Sequence, residues 1–326
     1  MGAAAQLPRV APPERPLTVG AATAEAAARL RKAGSESARL DAELLLAFTL
    51  GIERTTVLAH PEARIGATQA GALEAAVERR ASGEPIAYIR GHKEFHGLAL
   101  TVDRRVLVPR PETELLVDLA MERVQTAVSR EPGPPGAACR PTGAVPFRIW
   151  DVGTGSGAIA VALADALRGR SADEVRILAT DVSAGALAVA AGNVAWHRLE
   201  DVVELRLADL AAERGGLGDE APVDLLLANL PYIPSEELPG LPISASFEPR
   251  LALDGGGDGL ELVRRLLSLL PEVLAPRGLA LLEIGAAQAE AAMAAAATLL
   301  CGCSVAVHPD LAGDPRVLEV RPVPRA

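Results

Sequence analysis

The fold of this chain follows from a short segment that reads Arg148-Ile149-Trp150-Asp151-Val152-Gly153-Thr154-Gly155-Ser156-Gly157. Residues 148–152 predict a strand, and the apolar run at 158–167 predicts a helix. The glycines between them let the backbone approach a ligand closely, and the helix N-terminus offers free N–H groups beside it. Strand, glycine loop and helix in this order indicate a nucleotide-binding unit.

Beyond this segment, strands and helices are predicted to alternate. Parallel strands are predicted at 148–152, 175–180, 202–208, 223–228 and 278–284. Such alternation is typical of an α/β fold with a doubly wound, Rossmann-like sheet. Two further strands, at 304–308 and 316–321, are joined by a loop too short for a helical crossover. We therefore expect the sheet to end in a C-terminal antiparallel hairpin.

The glycine loop alone does not identify its ligand. Gly153, Gly155 and Ala158 satisfy the G-x-G-x-x-G/A dinucleotide pattern, so NAD remains open at this point. Asp181 follows the second predicted strand, where a carboxylate can accept hydrogen bonds from ribose hydroxyls. The alternative role for Asp181, together with Ser183, is to cap the next helix.

A second informative segment, Asn229-Leu230-Pro231-Tyr232, follows the predicted strand at 223–228. Pro231 pushes Leu230 into an extended conformation, which fixes the direction of the Leu230 carbonyl. The Asn229 side chain adds a second acceptor, and two acceptors hold both hydrogens of an NH2 group. This grip steers the nitrogen lone pair out of conjugation, while Tyr232 stacks on the planar group. The alternative is a simple turn after a strand.

Together the two segments favour S-adenosylmethionine over NAD. A methyl donor needs a neutral nucleophile in line with its methyl group, whereas hydride transfer gives Asn229 and Tyr232 no comparable task. Ligands of open α/β sheets bind outside the carboxyl ends of the strands. Since Gly153, Asp181, Asp209 and Asn229 all fall at such ends, we expect one crevice to hold both the donor and the acceptor.

From about residue 80 to the C-terminus, the chain resembles the release-factor glutamine methyltransferases. Three stretches are specific to that family: Gly83-Glu84-Pro85-Ile86-Ala87-Tyr88-Ile89-Arg90-Gly91, Glu94-Phe95-His96-Gly97 and Val108-Pro109-Arg110-Pro111-Glu112-Thr113-Glu114. The glycine loop, Asp181 and the quartet at 229–232 come next. They are followed in the family's order by Phe247-Glu248-Pro249, Leu251-Ala252-Leu253 and Asp258-Gly259-Leu260.

The resemblance implies a class I methyltransferase fold and a small N-terminal helical domain that recognises the substrate. It implies methyl transfer from S-adenosylmethionine to the side-chain nitrogen (N5) of the glutamine in the Gly-Gly-Gln motif of peptide chain release factors. The implied cofactor-binding residues are Gly153, Thr154, Gly155, Ser156, Gly157, Asp181, Asp209, Leu210 and Asn229. The implied catalytic and substrate-binding residues are Asn229, Leu230, Pro231 and Tyr232.

One residue departs from the family pattern, because Leu230 stands where the family usually has proline. The contact proposed there is a backbone carbonyl, which leucine supplies, and Pro231 still restricts its conformation. A quartet with leucine is also similar to that of adenine dimethyltransferases acting on ribosomal RNA. Two alternatives therefore stay open: an adenine-N6 methyltransferase acting on DNA or RNA, and a non-catalytic protein that binds S-adenosylmethionine.

Composition favours a cytoplasmic, monomeric enzyme without a membrane partner. The 326 residues are 49% hydrophobic and carry a net charge of −10, which makes nucleic acid an unlikely direct substrate. The candidate basic positions, 79–80 and 104–105, read more simply as surface charge. The cysteines, Cys139, Cys301 and Cys303, form no disulfide framework and suit a reducing compartment. No metal site is expected, and His92 and His96 belong to a predicted hairpin.

The predicted domains are a disordered lead-in at 1–16, a helical substrate-recognition domain at 17–84, a β-hairpin linker at 85–108 and a methyltransferase domain at 109–326 with a flexible insertion at 130–146. Within the helical domain, the periodicity places Leu40, Leu44, Ala47 and Phe48 on one apolar helix face.

Overall fold

The computed structural model describes residues 17–128, 146–170, 173–218 and 222–323. The lead-in predicted at 1–16 and nearly all of the insertion predicted at 130–146 lie outside these ranges. The chain divides into two compact units, Met1–Arg90 and Gly91–Ala326. Each unit has its own hydrophobic core.

The first unit is helical. Its described elements are α1 (Val19–Lys32), α2 (Ala38–Leu50), α3 (Arg54–Ala59), α4 (Ala67–Ala81) and α5 (Ile86–Arg90). The side chain of Thr18 caps α1 by accepting a hydrogen bond from the Ala21 N–H. Leu30, Leu45 and Leu46 are fully buried at the centre of this unit. The helical architecture predicted from the periodicity is therefore present.

The second helix buries a different side from the predicted one. The predicted face comprised Leu40, Leu44, Ala47 and Phe48, of which only the alanine is buried. Leu40 and Phe48 are each 43% exposed. Asp41 is buried in their place, because the hydroxyls of Ser35 and Ser37 and the guanidinium of Arg80 hydrogen-bond to its carboxylate. A polar residue with such hydrogen-bond partners can face a core. A prediction from the spacing of apolar residues does not include it.

The hairpin is narrower than the predicted range of 85–108. Strands β1 (His92–Phe95) and β2 (Leu98–Thr101) pair antiparallel, with His96 in the turn. The residues before the hairpin form α5, because the Pro85 carbonyl accepts hydrogen bonds from two N–H groups of the next turn. The prediction that His92 and His96 belong to a hairpin is confirmed, so they are not a helical pair of ligands.

The second unit contains a seven-stranded sheet. Its strands are β3 (Phe147–Val152), β4 (Val175–Asp181), β5 (Val203–Leu207), β6 (Val223–Ala228), β7 (Leu274–Glu283), β8 (Cys303–Pro309) and β9 (Pro315–Pro322). The strand order is β5-β4-β3-β6-β7-β9-β8. Strands β3 to β7 are parallel, and β9 runs antiparallel to both β7 and β8. The predicted α/β sheet with its terminal antiparallel hairpin is confirmed.

Helices cover both faces of this sheet. They are α6 (Glu114–Val128), α7 (Ala158–Ala166), α8 (Ala184–Trp196), α9 (Glu261–Val273) and α10 (Ala289–Leu299). Alternate residues of β3 point to opposite faces, so Ile149 packs in the cluster with α6 and α7. Trp150 packs in the cluster with α9 and α10. The sheet is therefore doubly wound, as predicted.

Asn193 joins three parts of the second unit. It lies on α8, is fully buried, and accepts a hydrogen bond from the Thr101 N–H at 2.7 Å. Its side-chain nitrogen donates to the carbonyls of Thr101, at 3.0 Å, and Ser156, at 2.8 Å. One amide thus fixes the end of the hairpin and the loop before α7 to the same helix.

We expect Asn193→Ala to lower the free energy of unfolding of this unit by about 2–4 kcal/mol, because it leaves several buried backbone groups without partners. Tryptophan fluorescence during urea denaturation reports this unit selectively, since Trp150 and Trp196 are the only tryptophans of the chain.

The matched control is Gly192→Ala, at an exposed position of the same helix with open space around it. Alanine at position 192 should leave the urea midpoint of unfolding unchanged or raise the free energy of unfolding by up to about 1 kcal/mol. Equal midpoints for both variants would show that the Asn193 hydrogen bonds do not stabilise the unit.

Candidate active site

The glycine loop turns sharply off the end of β3. The N–H groups of Gly153 and Thr154 both donate to the Thr180 carbonyl on β4, each at 2.9 Å. Gly153 has a φ of +72°, and a Cβ atom there would lie 3.0 Å from the Cδ2 atom of Leu230. Only glycine accommodates both this conformation and this close approach. The loop therefore rests directly on the segment that follows β6.

Asp151 lies fully buried beneath this loop. Its carboxylate accepts a hydrogen bond from the Thr154 hydroxyl at 2.6 Å, which fixes the loop to the last residues of β3. Burial raises the pKa of Asp151 to about 7, and the nearby charge of Asp181 acts in the same direction. A proton therefore remains on Asp151 to a much higher pH than on an ordinary aspartate.

Asp181, at the end of β4, holds the loop from the other side. Its Oδ2 atom accepts from the Gly155 N–H at 2.9 Å, and its Oδ1 atom accepts from the Ser183 N–H at 2.8 Å. The predicted capping role belongs to Ser183, whose hydroxyl accepts from the Ala186 N–H at 3.2 Å. A carboxylate has about four acceptor positions. The acceptor capacity that these N–H groups leave on Asp181, which lines the cavity, is available to a ligand.

The segment after β5 supplies one polar and one apolar residue. Asp209 is exposed, and its Oδ1 atom accepts from the Ala211 N–H at 2.8 Å. The guanidinium of Arg265 lies 4.0 Å from the same carboxylate. Leu210 is half-buried and faces the same cavity as Val182. These side chains form an apolar wall with a carboxylate at its edge, which suits a flat ring.

The quartet after β6 presents two free acceptors. The Asn229 amide nitrogen donates to the Thr113 hydroxyl oxygen at 2.9 Å, which leaves the amide oxygen on the other side. Among the described residues, no donor hydrogen-bonds to the Asn229 Oδ1 atom or to the Leu230 carbonyl. The Leu230 side chain is 5% exposed and belongs to the core, so this residue offers only its backbone to a ligand.

The backbone of the quartet is held rigidly on its far side. The Tyr232 carbonyl accepts a hydrogen bond from the Gln288 amide at 2.8 Å. Gly259 lies so close that a Cβ atom there would be 2.2 Å from the same carbonyl. The N–H of Ile233 donates to the Leu253 carbonyl at 3.1 Å. These contacts fix the direction of the peptide groups that precede them.

Tyr232, the last residue of the quartet, lies beside Glu283. The Tyr232 hydroxyl donates to the Glu283 Oε1 atom at 3.4 Å. Burial, followed by the Glu283 charge, raises the pKa of Tyr232 to about 12. Burial also raises the pKa of Glu283 to about 7, because its side chain is 1% exposed at the end of β7. The two groups are therefore coupled in a poorly hydrated position.

These strand ends enclose a cavity of about 350 Å³, within the range of small-molecule sites. Among the residues predicted for the site, those that line it are Gly153, Thr154, Gly155, Ser156, Asp181, Asp209, Leu210, Asn229, Leu230 and Pro231. Gly157 and Tyr232 do not line it. Gly157 precedes α7 with a φ of +80°, and a Cβ atom there would lie 3.2 Å from the Ala190 side chain. Its place in the loop is therefore explained by packing.

An ion pair between the half-exposed Arg110 and the buried Glu248 supports the cavity wall. Glu248 accepts hydrogen bonds from the Arg110 guanidinium at 2.6 Å and from the Val108 N–H at 3.1 Å. Burial raises the pKa of Glu248 even though Arg110 opposes the shift. The neighbouring Pro249 lines the cavity, so the ion pair holds two cavity-lining segments against each other.

Three residues around the quartet were given no role by sequence reasoning. They are Thr113, Glu283 and Gln288, which contact Asn229 and Tyr232. Glu283 had a signal in the sequence, because it is the one charged residue in the apolar predicted strand at 278–284. Thr113 belongs to the motif at 108–114, but nothing in the motif indicates which residue its hydroxyl contacts.

No group of three or more metal-ligating side chains occurs within the parts of the chain that the structure covers. Over the same residues, no helix is both long and apolar enough to cross a bilayer.

The fold and the site define a class of protein. A parallel sheet with a terminal antiparallel hairpin, a glycine loop after β3 and an acid at the end of β4 are the features of a class I methyltransferase. The polar quartet after β6 completes the arrangement.

Similarity to known proteins identifies the family. The family described as the PrmC N-terminal domain matches residues 21–91. The release factor glutamine methyltransferase of Moorella thermoacetica is 39% identical over 300 residues, covering 92% of this chain and 97% of that protein. That of Bradyrhizobium diazoefficiens is 38% identical over 333 residues, covering 97% and 99%. This chain belongs to the release factor glutamine methyltransferase family.

A solved structure of the family also matches. The protein-(glutamine-N5) methyltransferase of Alicyclobacillus acidocaldarius, described as release factor-specific, is 30% identical. The match covers 67% of this chain and 95% of that one, with a TM-score of 0.38.

The raised pKa of Asp151 predicts a pH-dependent stability. Because the folded protein holds this proton up to about pH 7, while the ordinary pKa of an aspartate is 3.8, the folded state binds more protons between these values. The stabilisation from the protonated group is therefore complete at low pH and is lost as the pH rises through about 7. We expect the stability of the wild type relative to Asp151→Asn to fall from pH 5 to pH 8, measured by urea denaturation with tryptophan fluorescence.

The control for this measurement is Asp201→Asn, because Asp201 is exposed in the folded protein. The difference in unfolding free energy between Asp201→Asn and the wild type should be the same at pH 5 and at pH 8. A constant difference for Asp151→Asn as well would contradict the prediction.

Proposed function

We propose that this protein transfers a methyl group from S-adenosylmethionine to the side-chain amide nitrogen of the glutamine in the Gly-Gly-Gln motif of a peptide chain release factor. One observation carries the proposal: Asn229 and Leu230, whose Oδ1 atom and carbonyl accept no hydrogen bond among the described residues, line a cavity whose other wall is the glycine loop. Membership of the family supports the same reaction.

The two acceptors explain how an amide becomes a nucleophile. Each accepts one hydrogen of the glutamine NH2 group, which fixes the plane of that group. The nitrogen lone pair is then directed away from the carbonyl and toward the glycine-loop side of the cavity. Pro231 keeps the Leu230 carbonyl in place because it restricts the preceding residue to extended conformations. Alignment therefore supplies most of the rate enhancement.

The residues around the glycine loop fit the cofactor. Asp181 has acceptor positions left for ribose hydroxyls, while Val182 and Leu210 offer an apolar wall for the adenine. Asp209 lies at the edge of that wall. When bound, S-adenosylmethionine supplies an electrophilic methyl group on a sulfonium. The chain itself provides the shape of the loop, in which Gly153 leaves no side chain between the cofactor side and Leu230.

The reaction needs no strong base in the site. S-adenosylmethionine would supply the methyl carbon and its sulfur would keep the electrons of the broken carbon–sulfur bond, while the amide nitrogen held by Asn229 and Leu230 would lose its proton to water. Asn229 and the Leu230 carbonyl stabilise the partial positive charge that develops on the two N–H groups. Tyr232 and Glu283 are not required to accept that proton, since neither lines the cavity.

Charge argues against nucleic acid as the substrate. The arginines that were candidates for a basic groove have carboxylate or aromatic neighbours. Arg79 pairs with Glu84, and Arg105 pairs with Asp103. A protein with a net charge of −10 gains little from phosphate neutralisation. Recognition of the release factor by the helical unit, a monomeric state and a cytoplasmic location remain predictions.

The cofactor assignment is tested with Asp181→Ala. This change removes both the acceptor for the Gly155 N–H and the proposed acceptor for the ribose, so we expect the Kd for S-adenosylmethionine to rise by about tenfold or more. Isothermal titration calorimetry measures it, with NAD as the comparison ligand. The control, Asp201→Ala, replaces an exposed carboxylate and should bind as the wild type does. Unchanged binding by Asp181→Ala, or binding of NAD instead, would refute the assignment.

The catalytic assignment is tested with Asn229→Ala. Loss of one of the two acceptors should lower methyl transfer to an unmodified release factor by about a hundredfold, because the amide is no longer held in plane. Labelled S-adenosylmethionine measures the rate, and mass spectrometry identifies the modified residue. Gln125→Ala, at an exposed position of α6, is the control.

An adenine-containing oligonucleotide is offered to the wild type in parallel. Label on the release-factor glutamine supports the proposal, and label on adenine replaces it with the nucleic-acid alternative. Label on neither, with the cofactor bound, favours a non-catalytic protein.

A further inference from the structure

The Leu230 carbonyl can serve as a precise acceptor only if the backbone is held on both sides of it. On the N-terminal side, Ala228 belongs to β6 and is fixed by the sheet. On the C-terminal side the chain has left the sheet, and the ring of Pro231 fixes its own φ angle. Peptide groups are planar, so few free torsions separate the Leu230 carbonyl from the Tyr232 carbonyl. A group that holds the Tyr232 carbonyl therefore also helps to direct the Leu230 carbonyl.

Gln288 is such a group. It lies just before α10 and is half-buried. Its Nε2 atom donates to the Tyr232 carbonyl at 2.8 Å and to the Asp258 carbonyl at 3.3 Å. Its Oε1 atom accepts from the Gly285 N–H at 2.9 Å. The Gln288 amide therefore uses both of its hydrogens and its oxygen in these contacts.

The three partners also determine the orientation of the Gln288 amide. All of them are backbone groups, of which an N–H can only donate and a carbonyl can only accept. If the amide rotated by half a turn, its oxygen would face two carbonyl oxygens and its NH2 group would face an N–H. The observed orientation is thus the one in which every partner is satisfied, and no titratable group takes part in this choice.

A glycine-rich segment, residues 254–259, packs against the same part of the quartet. A Cβ atom at Gly259 would lie 2.2 Å from the Tyr232 carbonyl oxygen and 2.5 Å from the Gln288 Nε2 atom. A Cβ atom at Gly255 would lie 2.8 Å from the Tyr232 Cα atom. The two backbones therefore touch without a side chain between them. The Gln288 amide joins them by donating to a carbonyl of each.

We propose that Gln288 is a positioning residue for the methyl transfer. By holding the Tyr232 carbonyl against the glycine-rich segment, it keeps the Leu230 carbonyl in the place where that carbonyl accepts from the substrate amide. The proposal rests on the function proposed above. Gln288 lies outside the lining of the cavity, so it acts through the backbone of the quartet and not by contact with a ligand.

The other possible role of Gln288 is to close the turn before α10. That role uses the Oε1 atom and the Gly285 N–H, whereas positioning of the quartet uses the Nε2 atom. Because the two roles depend on different atoms of one side chain, a substitution that changes only the nitrogen separates them.

The test compares Gln288→Glu with Gln288→Ala. Glutamate keeps the length of the side chain and an oxygen for the Gly285 N–H, but its ionised carboxylate has no hydrogen to donate to the two carbonyls. Alanine removes both functions. We expect both variants to lower kcat for methylation of the release factor by about tenfold or more, because the substrate amide is held less accurately.

The rates are measured with labelled S-adenosylmethionine while the concentration of the unmodified release factor is varied. The KM for the release factor and the Kd for S-adenosylmethionine should both stay within about twofold of the wild type, since Gln288 contributes to alignment and not to capture. The control is Gln125→Glu, the same chemical change at an exposed position of α6, which should act as the wild type does.

Full activity of Gln288→Glu would overturn the proposal, and a loss confined to Gln288→Ala would assign the residue to the turn before α10. A higher KM or Kd with an unchanged kcat would also overturn it, because the residue would then contribute to binding. If the wild type itself transfers no methyl group to the release factor, the proposed function fails, and the positioning role fails with it. An active wild type with an equally active Gln288→Glu removes the positioning role alone.

Discussion

The parallel register between β3 and β6 is the constraint on which the site depends. Val152 pairs with Ala228, so the next residues, Gly153 and Asn229, leave the sheet side by side. Because glycine has no side chain, the loop proposed to hold the donor can pack onto the segment proposed to hold the acceptor. In the proposed reaction the line of methyl transfer is thus set by two adjacent strands, and hydrogen bonding within the sheet prevents one from sliding past the other.

Three buried acids hydrogen-bond to residues of the glycine loop, the quartet and the cavity wall. Asp151 under the glycine loop, Glu283 behind the quartet and Glu248 in the cavity wall are all less than a tenth exposed, and burial raises the pKa of each. Asp151 and Glu248 accept hydrogen bonds from the cavity-lining residues Thr154 and Arg110, and Glu283 accepts one from Tyr232. A buried polar group destabilises the fold unless it has hydrogen-bond partners. When it has them, its hydrogen bonds favour one local geometry over others. The site is therefore rigid because of residues that a ligand does not touch.

The parallel sheet and the positions of the polar residues at its strand ends could be predicted from the sequence, for a physical reason. Buried parallel strands have continuous apolar runs, and the polar residues that end them stand out, which is why Gly153, Asp181 and Asn229 were found at one sheet edge. The face of α2 was predicted wrongly, because Asp41 is paired by Ser35, by Ser37 and, from a distant part of the sequence, by Arg80. Thr113 and Gln288 were given no role for the same reason, since a hydrogen bond across the fold leaves no local pattern.

The side chain of Leu230 belongs to the core, while its carbonyl is the acceptor proposed for the cavity that this residue lines. Core packing therefore constrains the Leu230 side chain, whereas the proposed contact with the substrate constrains the Leu230 carbonyl. Evolution can exchange the side chain among apolar residues that fit against the glycine loop, and a bound glutamine would encounter the same oxygen atom in each case. Position 230 can thus vary among relatives without a change of reaction, provided that position 153 keeps the space into which the new side chain must fit.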